Sequence, residues 1–445
     1  MSYIGHSTGL GWRAHGLVLV MIVLVASATG CVTFRYALTS GEQVRSMRRL
    51  GRVEGRIESA APVDGPLVVV LATLGETASR PRVSIDTFMR SGLGRYAFVV
   101  TPGRYSVAAY EDRNKSGRLD PGERRWPNHG APLLHVGPGQ VTRQDIVLDF
   151  HATARRGEVP IDGFDVAAQA PREGLGVSPW ARSVQGVVCP DLRDTRFGQE
   201  AAVRGLWQPL DFLDDGLAGV YFLAPYDPTR VPVLFVHGLG GSPQQLSSLM
   251  RSLDPERFQA WFYFYPSGYA LDGISDHLAR LLAWLETMYE FEDLAIVAHS
   301  VGGLVSRGAI LKLAQPMDEN RVRLFITLAT PWGGVERAAA VPITLLPSFE
   351  DIDPTSDYLR SLFRFDDGRA RGLPDDAAFH LLIGYRMKML ARIANDGSVS
   401  VASQARLEAQ EQARSMRALD VDHDDILTSS DAIGRVNELL EERFR

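Results

Sequence analysis

The sequence contains only two cysteines, Cys31 and Cys189, in 445 residues. It has no surplus of basic side chains, and its one long apolar run, near the N-terminus, is too short to cross a bilayer comfortably. Each shortage narrows the possibilities. Lys and Arg total 47 against 53 Asp and Glu, a formal net charge of -6, so the chain has no positive field to gather a polyanion and nucleic acid is not an expected partner. With so few thiols there is no disulfide framework, and packing must supply the stability. Cys189, followed by Pro190 and lacking a glycine-rich setting, reads as a small buried hydrophobe. Charged residues make up 22% and hydrophobic residues 45%, which allows a sizeable core and argues against long disordered tracts. At roughly 150 residues per domain, a chain of this length divides into two or three units.

Residues 1–30 read as an export signal. Arg13 gives a thin positive flank, Gly16 to Ala28 is almost wholly apolar, and Ala28-Thr29-Gly30 sets small residues before Cys31. A small tripeptide directly before a cysteine resembles the bacterial lipoprotein signal, although Ala28 stands where that pattern usually has Leu. The resemblance implies cleavage before Cys31 and lipidation of its thiol, hence an exported chain anchored to a bacterial membrane on its periplasmic or surface side. An uncleaved signal anchor or an ordinary signal peptide is the alternative, and both also place the body of the chain outside the cytoplasm. Residues 31–47 then read as a tether.

Over residues 48–150 short β-type runs are broken by Gly and Pro: Leu67–Leu71, Tyr96–Val100, Arg104–Tyr110 and Gln144–Leu148. Strands at this spacing, with no helical period between them, predict a small β-sandwich. Within it, Asp112, Asn114, Ser116, Arg118 (through its backbone carbonyl), Asp120 and Glu123, with Gly117 at the sixth position, match the oxygen-ligand spacing of a calcium loop. The flanks read as strands, so the loop is closer to the Asp-x-Asn-x-x-Gly connections of β-sandwich modules than to an EF-hand. A structural calcium ion or a plain polar turn accounts for it equally. Residues 151–215, rich in Gly, Pro and charge, read as linker and approach segment.

From residue 216 to 445 apolar strands alternate with amphipathic helices. Val231–Val236, Trp261–Tyr265, Leu294–Ala298, Leu324–Leu328 and Phe379–Ile383 are nearly continuous apolar runs, as expected of parallel strands buried on both faces. Ser242–Arg251, Ile274–Tyr289 and Leu304–Leu313 carry apolar residues at helical spacing. The fold class is therefore α/β, a doubly wound and mostly parallel sheet preceded by the small β-sandwich.

The chemistry gathers in this second part. Ala298-His299-Ser300-Val301-Gly302-Gly303 lies between a strand and a helix, with small residues two before and two after the serine, which a strained strand-to-helix turn requires. Phe235-Val236-His237-Gly238-Leu239-Gly240-Gly241 ends an earlier buried strand. From these motifs the region from about residue 216 to 444 resembles the α/β-hydrolase fold, and within it bacterial lipases and the serine esterases related to GPI-inositol deacylases. The resemblance implies a nucleophile at Ser300 and an oxyanion hole made by the backbone N–H groups of Leu239 and Val301. It also makes His237 and His299 supporting side chains, and gives Trp332, in Ala329-Thr330-Pro331-Trp332-Gly333-Gly334, a place in the pocket wall.

Chain order in this fold runs serine, acid, histidine. Asn395-Asp396-Gly397-Ser398-Val399 resembles the stretch that carries the catalytic acid in lipases, which implies Asp396 as the group orienting the base; a plain Asp-Gly turn is the alternative. His423 is the only histidine downstream of Asp396, so it is the remaining candidate for the base. Asp420, Asp422, Asp424 and Asp425 surround it and read as a solvated acidic loop, with one of them as the alternative to Asp396 for the orienting group. An insertion over about residues 335–377 forms either a cap over the nucleophile or a helix that completes the core.

The implied activity is hydrolysis of carboxylic esters of a hydrophobic, lipid-like substrate through an acyl-enzyme on Ser300, with no cofactor for catalysis. An acyltransferase or thioesterase would use the same residues, and a surface lipoprotein with a non-catalytic hydrolase fold is the alternative from another class.

Overall fold

Leu67–Thr73 is apolar at nearly every position because both of its faces are covered. The computed structural model describes residues 30–73, 83–117, 119–120, 122–127, 132–148, 178–314, 321–336, 346–386 and 395–445. The expected export signal lies outside this set apart from Gly30, as does Arg118. The first strands are β1 (Gly51–Ser59), β2 (Leu67–Thr73), β3 (Val83–Arg90), β4 (Gly94–Val100), β5 (Gly103–Glu111), β6 (Arg125–Trp126), β7 (Leu133–Val136), β8 (Val141–Arg143) and β9 (Ile146–Leu148). They form two sheets, one ordered β4-β1-β8 with β9 also on β1, the other β3-β2-β5-β6 with β7 on β5. Alternate residues point inward: Val53 and Ile57 of β1, Tyr96 and Phe98 of β4, and Leu67, Val69 and Leu71 of β2 share one core.

The other face of β2 is buried too. Val68 and Val70, with Met89 and Tyr110, make a second small cluster against Trp284 of the following unit. A buried ion pair between Asp86 of β3 and Arg280, 2.9 Å apart, lies in the same contact, and Ser178 donates its hydroxyl to the Asp86 carboxylate at 2.6 Å. One-sided sandwiches alternate apolar and polar residues, whereas β2 reads as a continuous run because a helix covers its outer side.

The α/β unit is an eight-stranded sheet. Its strands are β10 (Val184–Val188), β11 (Gly219–Phe222), β12 (Val231–Val236), β13 (Phe258–Phe264), β14 (Leu294–His299), β15 (Val322–Leu328), β16 (Ala378–Tyr385) and β17 (Ser415–Asp420). They are ordered β10-β11-β13-β12-β14-β15-β16-β17. From β13 to β17 neighbouring strands are parallel; β11 is antiparallel to β13, and β10 runs parallel to β11. The sheet therefore starts inside the segment expected to be linker. Val184-Gln185-Gly186-Val187-Val188 gives little apolar signal because, as an edge strand, it is only half covered.

The longer helices are α1 (Gly30–Arg49), α2 (Gln199–Trp207), α3 (Leu271–Tyr289), α4 (Val301–Leu313) and α5 (Ser430–Arg443). In the segment expected to be a tether, the second half of α1 is docked. Val44 and Met47 join the core of the α/β unit, and Gln43 bonds Asp211 Oδ1 at 3.0 Å and the Leu210 N–H at 2.9 Å. No helix among the described residues is long and apolar enough to cross a membrane. Leu271, Ile274, Leu278, Leu281, Leu282 and Leu285 of α3 are buried at helical spacing. Its first turn has no local side-chain cap; the Leu271 N–H donates instead to Asp351 Oδ2 at 2.6 Å, and the helix stops at Glu290, whose φ is 52°.

Within the insertion before β16, residues 346–363 contribute side chains to the core. Leu346, Ile352, Leu359, Leu362 and Phe363 are buried, and Tyr358 bonds Ser275 Oγ at 2.9 Å and the Leu304 carbonyl at 3.0 Å. Residues 341–345, the start of its apolar loop, lie outside the described set. Trp332 is likewise core rather than pocket wall, fully buried and set edge-on to Phe325, Phe363 and Phe379.

Candidate active site

The turn that carries Ser300 is built by β14 and α4. Ser300 has φ 53° and ψ -130°, a conformation that a non-glycine residue holds only where its surroundings impose it. The glycines around it show what imposes it. A Cβ on Gly302 would stand 2.4 Å from the His237 carbonyl oxygen, one on Gly303 would stand 2.1 Å from Thr330 Oγ1, and one on Gly238 would stand 2.8 Å from Ser300 Cβ. The elbow, the β12 loop and the β15 loop are thus pressed together to distances that only Gly permits. Ala298, two residues before the serine, is fully buried, so a methyl group is accommodated where the motif usually has glycine.

Ser300 Oγ lies 2.9 Å from His423 Nε2, and His423 Nδ1 lies 2.7 Å from Asp396 Oδ2. The carboxylate can only accept, so Nδ1 carries the hydrogen and Nε2 presents its lone pair to the serine hydroxyl. That is the tautomer a general base needs. The three side chains come from β14, the turn after β16 and the loop after β17, and the Asp396 carbonyl also accepts the His423 N–H at 2.9 Å. Asp396 is fully buried and its oxygens have distinct duties. Oδ1 accepts the N–H groups of Ser398 and Val399 at 3.0 and 2.7 Å, and Oδ2 takes His423 and the Gln404 amide at 3.0 Å. Of the substitute acids near the histidine, Asp422 pairs with Arg386 at 2.8 Å.

Gln404 was not foreseen from the sequence. It is fully buried, and its side chain also accepts the Gly384 N–H at 2.8 Å and donates to the Gly384 carbonyl at 3.0 Å, which fixes which end is the amide. The only local signal is a glutamine within an otherwise small and apolar turn after Ser400, too common a pattern to single it out.

Val301 is the first residue of α4, so its N–H has no acceptor within the helix. The Leu239 N–H has no acceptor among the described residues. Both flank the Ser300–Gly238 contact, where two such donors can meet a negative oxygen.

His237 and His299 hold the surrounding loops. His237 donates from Nδ1 to the Gly238 carbonyl at 2.8 Å, stacks on Tyr265 at 4.2 Å between centroids, and its own carbonyl accepts the Tyr265 hydroxyl at 2.6 Å. Burial pushes its pKa down to about 4. His299 Nε2 donates to the His423 carbonyl at 3.0 Å; burial, with the like charge of His423, pushes it down to about 3. Both are neutral near pH 7.

In the calcium-like loop, the side chains bond one another and the turn. Asp112 accepts the N–H groups of Ser116 and Gly117 at 2.9 and 2.8 Å, and Asp120 Oδ2 accepts Asn114 Nδ2 and Ser116 Oγ, both at 2.7 Å. Glu123 turns both oxygens to backbone N–H groups, of Arg113 at 2.9 Å and Asp120 at 2.8 Å.

The strand order, the elbow and the serine–histidine–aspartate contacts define an α/β-hydrolase fold. Residues 230–352, which include the β12 loop and Ser300, match the family model described as "Putative serine esterase (DUF676)". No curated protein matches the chain. Among solved structures, it is similar to Bacillus licheniformis lipase BlEst2 in mature form at 20% identity and TM-score 0.40, covering 50% of this chain and 97% of that one. It is also similar to the lin2722 product of Listeria innocua at 16% and 0.37, covering 48% and 94%. Aspergillus fumigatus lipase B gives 14% and 0.39, covering 51% and 56%.

Proposed function

We propose that the chain is a serine hydrolase that cleaves carboxylic esters of hydrophobic substrates through an acyl-enzyme on Ser300. The observation that carries this reading is the unbroken line from Asp396 Oδ2 to His423 to Ser300 Oγ, with contacts of 2.7 and 2.9 Å. In the proposed reaction Ser300 Oγ attacks the ester carbonyl carbon as its proton passes to His423 Nε2. The carbonyl oxygen takes negative charge opposite the Leu239 and Val301 N–H groups, and Asp396 steadies the imidazolium. Collapse expels the alcohol, which receives the proton from His423 and leaves the acyl group on Ser300. A water molecule, deprotonated by the same nitrogen, then releases the acid and restores the serine.

An apolar substrate is supported by the residues beside the β12 loop. Gly240 approaches Leu206, next to Trp207, whose ring lies 6.3 Å from that of Phe349; Trp207, Phe349 and Leu239 are half-buried. The sequence before Cys31 supports, as part of the same reading, export and lipid attachment at that cysteine.

A fluorophosphonate probe tests the central assignment. Wild-type protein should label stoichiometrically, while Ser300→Ala should not label and His423→Ala should label slowly. Labelling unchanged in Ser300→Ala removes the proposal, and a series of acyl esters of rising chain length then measures the apolar preference.

A further inference from the structure

A cavity of about 490 Å³ opens between the β-sandwich and the α/β unit, and its lining is strongly cationic: nine Arg or Lys side chains against four carboxylates. The carboxylates are all engaged. Asp276 pairs with Arg52 at 2.6 Å and Lys312 at 2.7 Å, Glu54 with Arg52 at 2.8 Å, and Glu286 with Arg321 at 3.0 Å, while Asp145 accepts the Arg56 N–H at 2.9 Å. Arg280 is held by Asp86 behind the wall. Four guanidinium groups, those of Arg56, Arg90, Arg95 and Arg371, have no carboxylate partner among the described residues.

Two of these four are not simply solvated surface charges. The Nε atoms of Arg90 and Arg371 are buried and have no hydrogen-bond partner among the described residues. Burial pushes both guanidinium groups below their ordinary pKa, and for Arg371 the like charge of Arg95, from the opposite unit, pushes the same way. Asp272 acts on Arg371 and Glu286 on Arg90 only at a distance, and the two guanidinium groups otherwise donate to the carbonyls of Ser361 and Arg95, so the cleft holds more cations than directly paired anions, an excess that an entering negative group would relieve.

We propose that this cleft binds a ligand bearing two or more phosphate groups, held jointly by Arg56, Arg90 and Arg95 of the β-sandwich and Arg371 of the α/β unit. Planar guanidinium forks suit phosphate oxygens, which they can grip two at a time, and the volume is that of a small-molecule site. The site is separate from the nucleophile. Leu313, at the last turn of α4, lines the cavity, whereas Ser300 caps the first turn, so roughly 20 Å of helix lies between them. Because its cationic groups come from both units, an occupied cleft clamps one against the other. A soluble polyphosphate and the headgroups of an anionic lipid offer the same chemistry.

The test uses the whole mature chain in low salt, with two probes: inorganic pyrophosphate by titration calorimetry, and vesicles containing cardiolipin, whose headgroup carries two phosphates, by co-sedimentation, with phosphatidylcholine vesicles as control. Expected is one saturable pyrophosphate site, weakened at least tenfold in Arg90→Gln/Arg371→Gln. The double variant should melt no lower than wild type without ligand, since it removes unpaired charge, and should keep its ester turnover. Pyrophosphate binding lost in the variant supports a soluble ligand. Vesicle binding alone, lost in the variant, supports a lipid headgroup. Absence of both, or binding indifferent to the two substitutions, overturns the proposal.

Discussion

Replacing Asp396 by Asn should cost about 10⁴ in turnover, and the reason lies in where its two oxygens sit. Oδ1 receives two backbone N–H groups and cannot become an NH₂ without setting donors against donors. The new amide nitrogen is therefore forced into the Oδ2 position, facing His423 Nδ1 and the Gln404 amide. Gln404 cannot rotate to offer its oxygen, because that oxygen holds the Gly384 N–H and its nitrogen holds the Gly384 carbonyl. His423 must then accept at Nδ1 and carry its hydrogen on Nε2, where it points at Ser300 and can no longer take a proton. A loss of 10⁴ corresponds to about 5.5 kcal/mol of transition-state stabilisation. The assay is turnover of a chromogenic short-chain acyl ester by wild type and Asp396→Asn, with Asp422→Asn as control and melting curves to show that all three are folded. Because Asp422 is tied to Arg386, its variant should stay within about threefold of wild type, the scatter usual for side chains outside a catalytic unit. Less than tenfold loss in a folded Asp396→Asn protein would refute the reasoning and pass the orienting role to another acid.

Three further outcomes are expected. Folding stability should drain away as pH falls from about 6.5 to 4, because His237 and His299, held neutral to about 4 and about 3, must remain uncharged in the fold while the unfolded chain takes up protons first. At about 1.4 kcal/mol per unit this is about 3 kcal/mol for His237 alone. Burial pushes Asp351 up to about 7, so it works in the opposite sense, favouring the fold more as pH falls below 7; Asp351→Asn should steepen the dependence. Denaturant midpoints at several pH values check both, and a midpoint independent of pH over this range is incompatible with the two histidines being buried and neutral. For the N-terminus, Cys31→Ala should move the protein from the membrane to the soluble fraction in a bacterial host. Retention in the membrane would count against lipid attachment at that thiol.

Much of the sheet and of the nucleophile turn was legible because close backbone approach leaves glycine and alanine at fixed offsets, and doubly covered strands leave unbroken apolar runs. Val231–Val236 and Leu294–His299 formed where those runs predict. The elbow motif nominated Ser300, the resemblance of Asn395–Val399 to the acid-bearing stretch of lipases nominated Asp396 and chain order left His423, and the fold brings the three within hydrogen-bonding distance. Where contacts are long-range the sequence was mute. Val184–Val188 is an edge strand whose partner lies beyond two helical segments, and Trp332 looks like a pocket residue until Phe325, Phe363 and Phe379 are seen around it. Gln404 acts only through Asp396 and Gly384, so no spacing rule could mark it.

The second buried face of β2 has a practical consequence. Cutting the gene between the two halves would strip Trp284 from Val68 and Val70 and leave Asp86 and Arg280 each facing water alone, so both fragments would carry a sticky, charge-pitted scar. Engineers wishing to borrow either half should transplant the pair, or first repaint that seam with polar side chains.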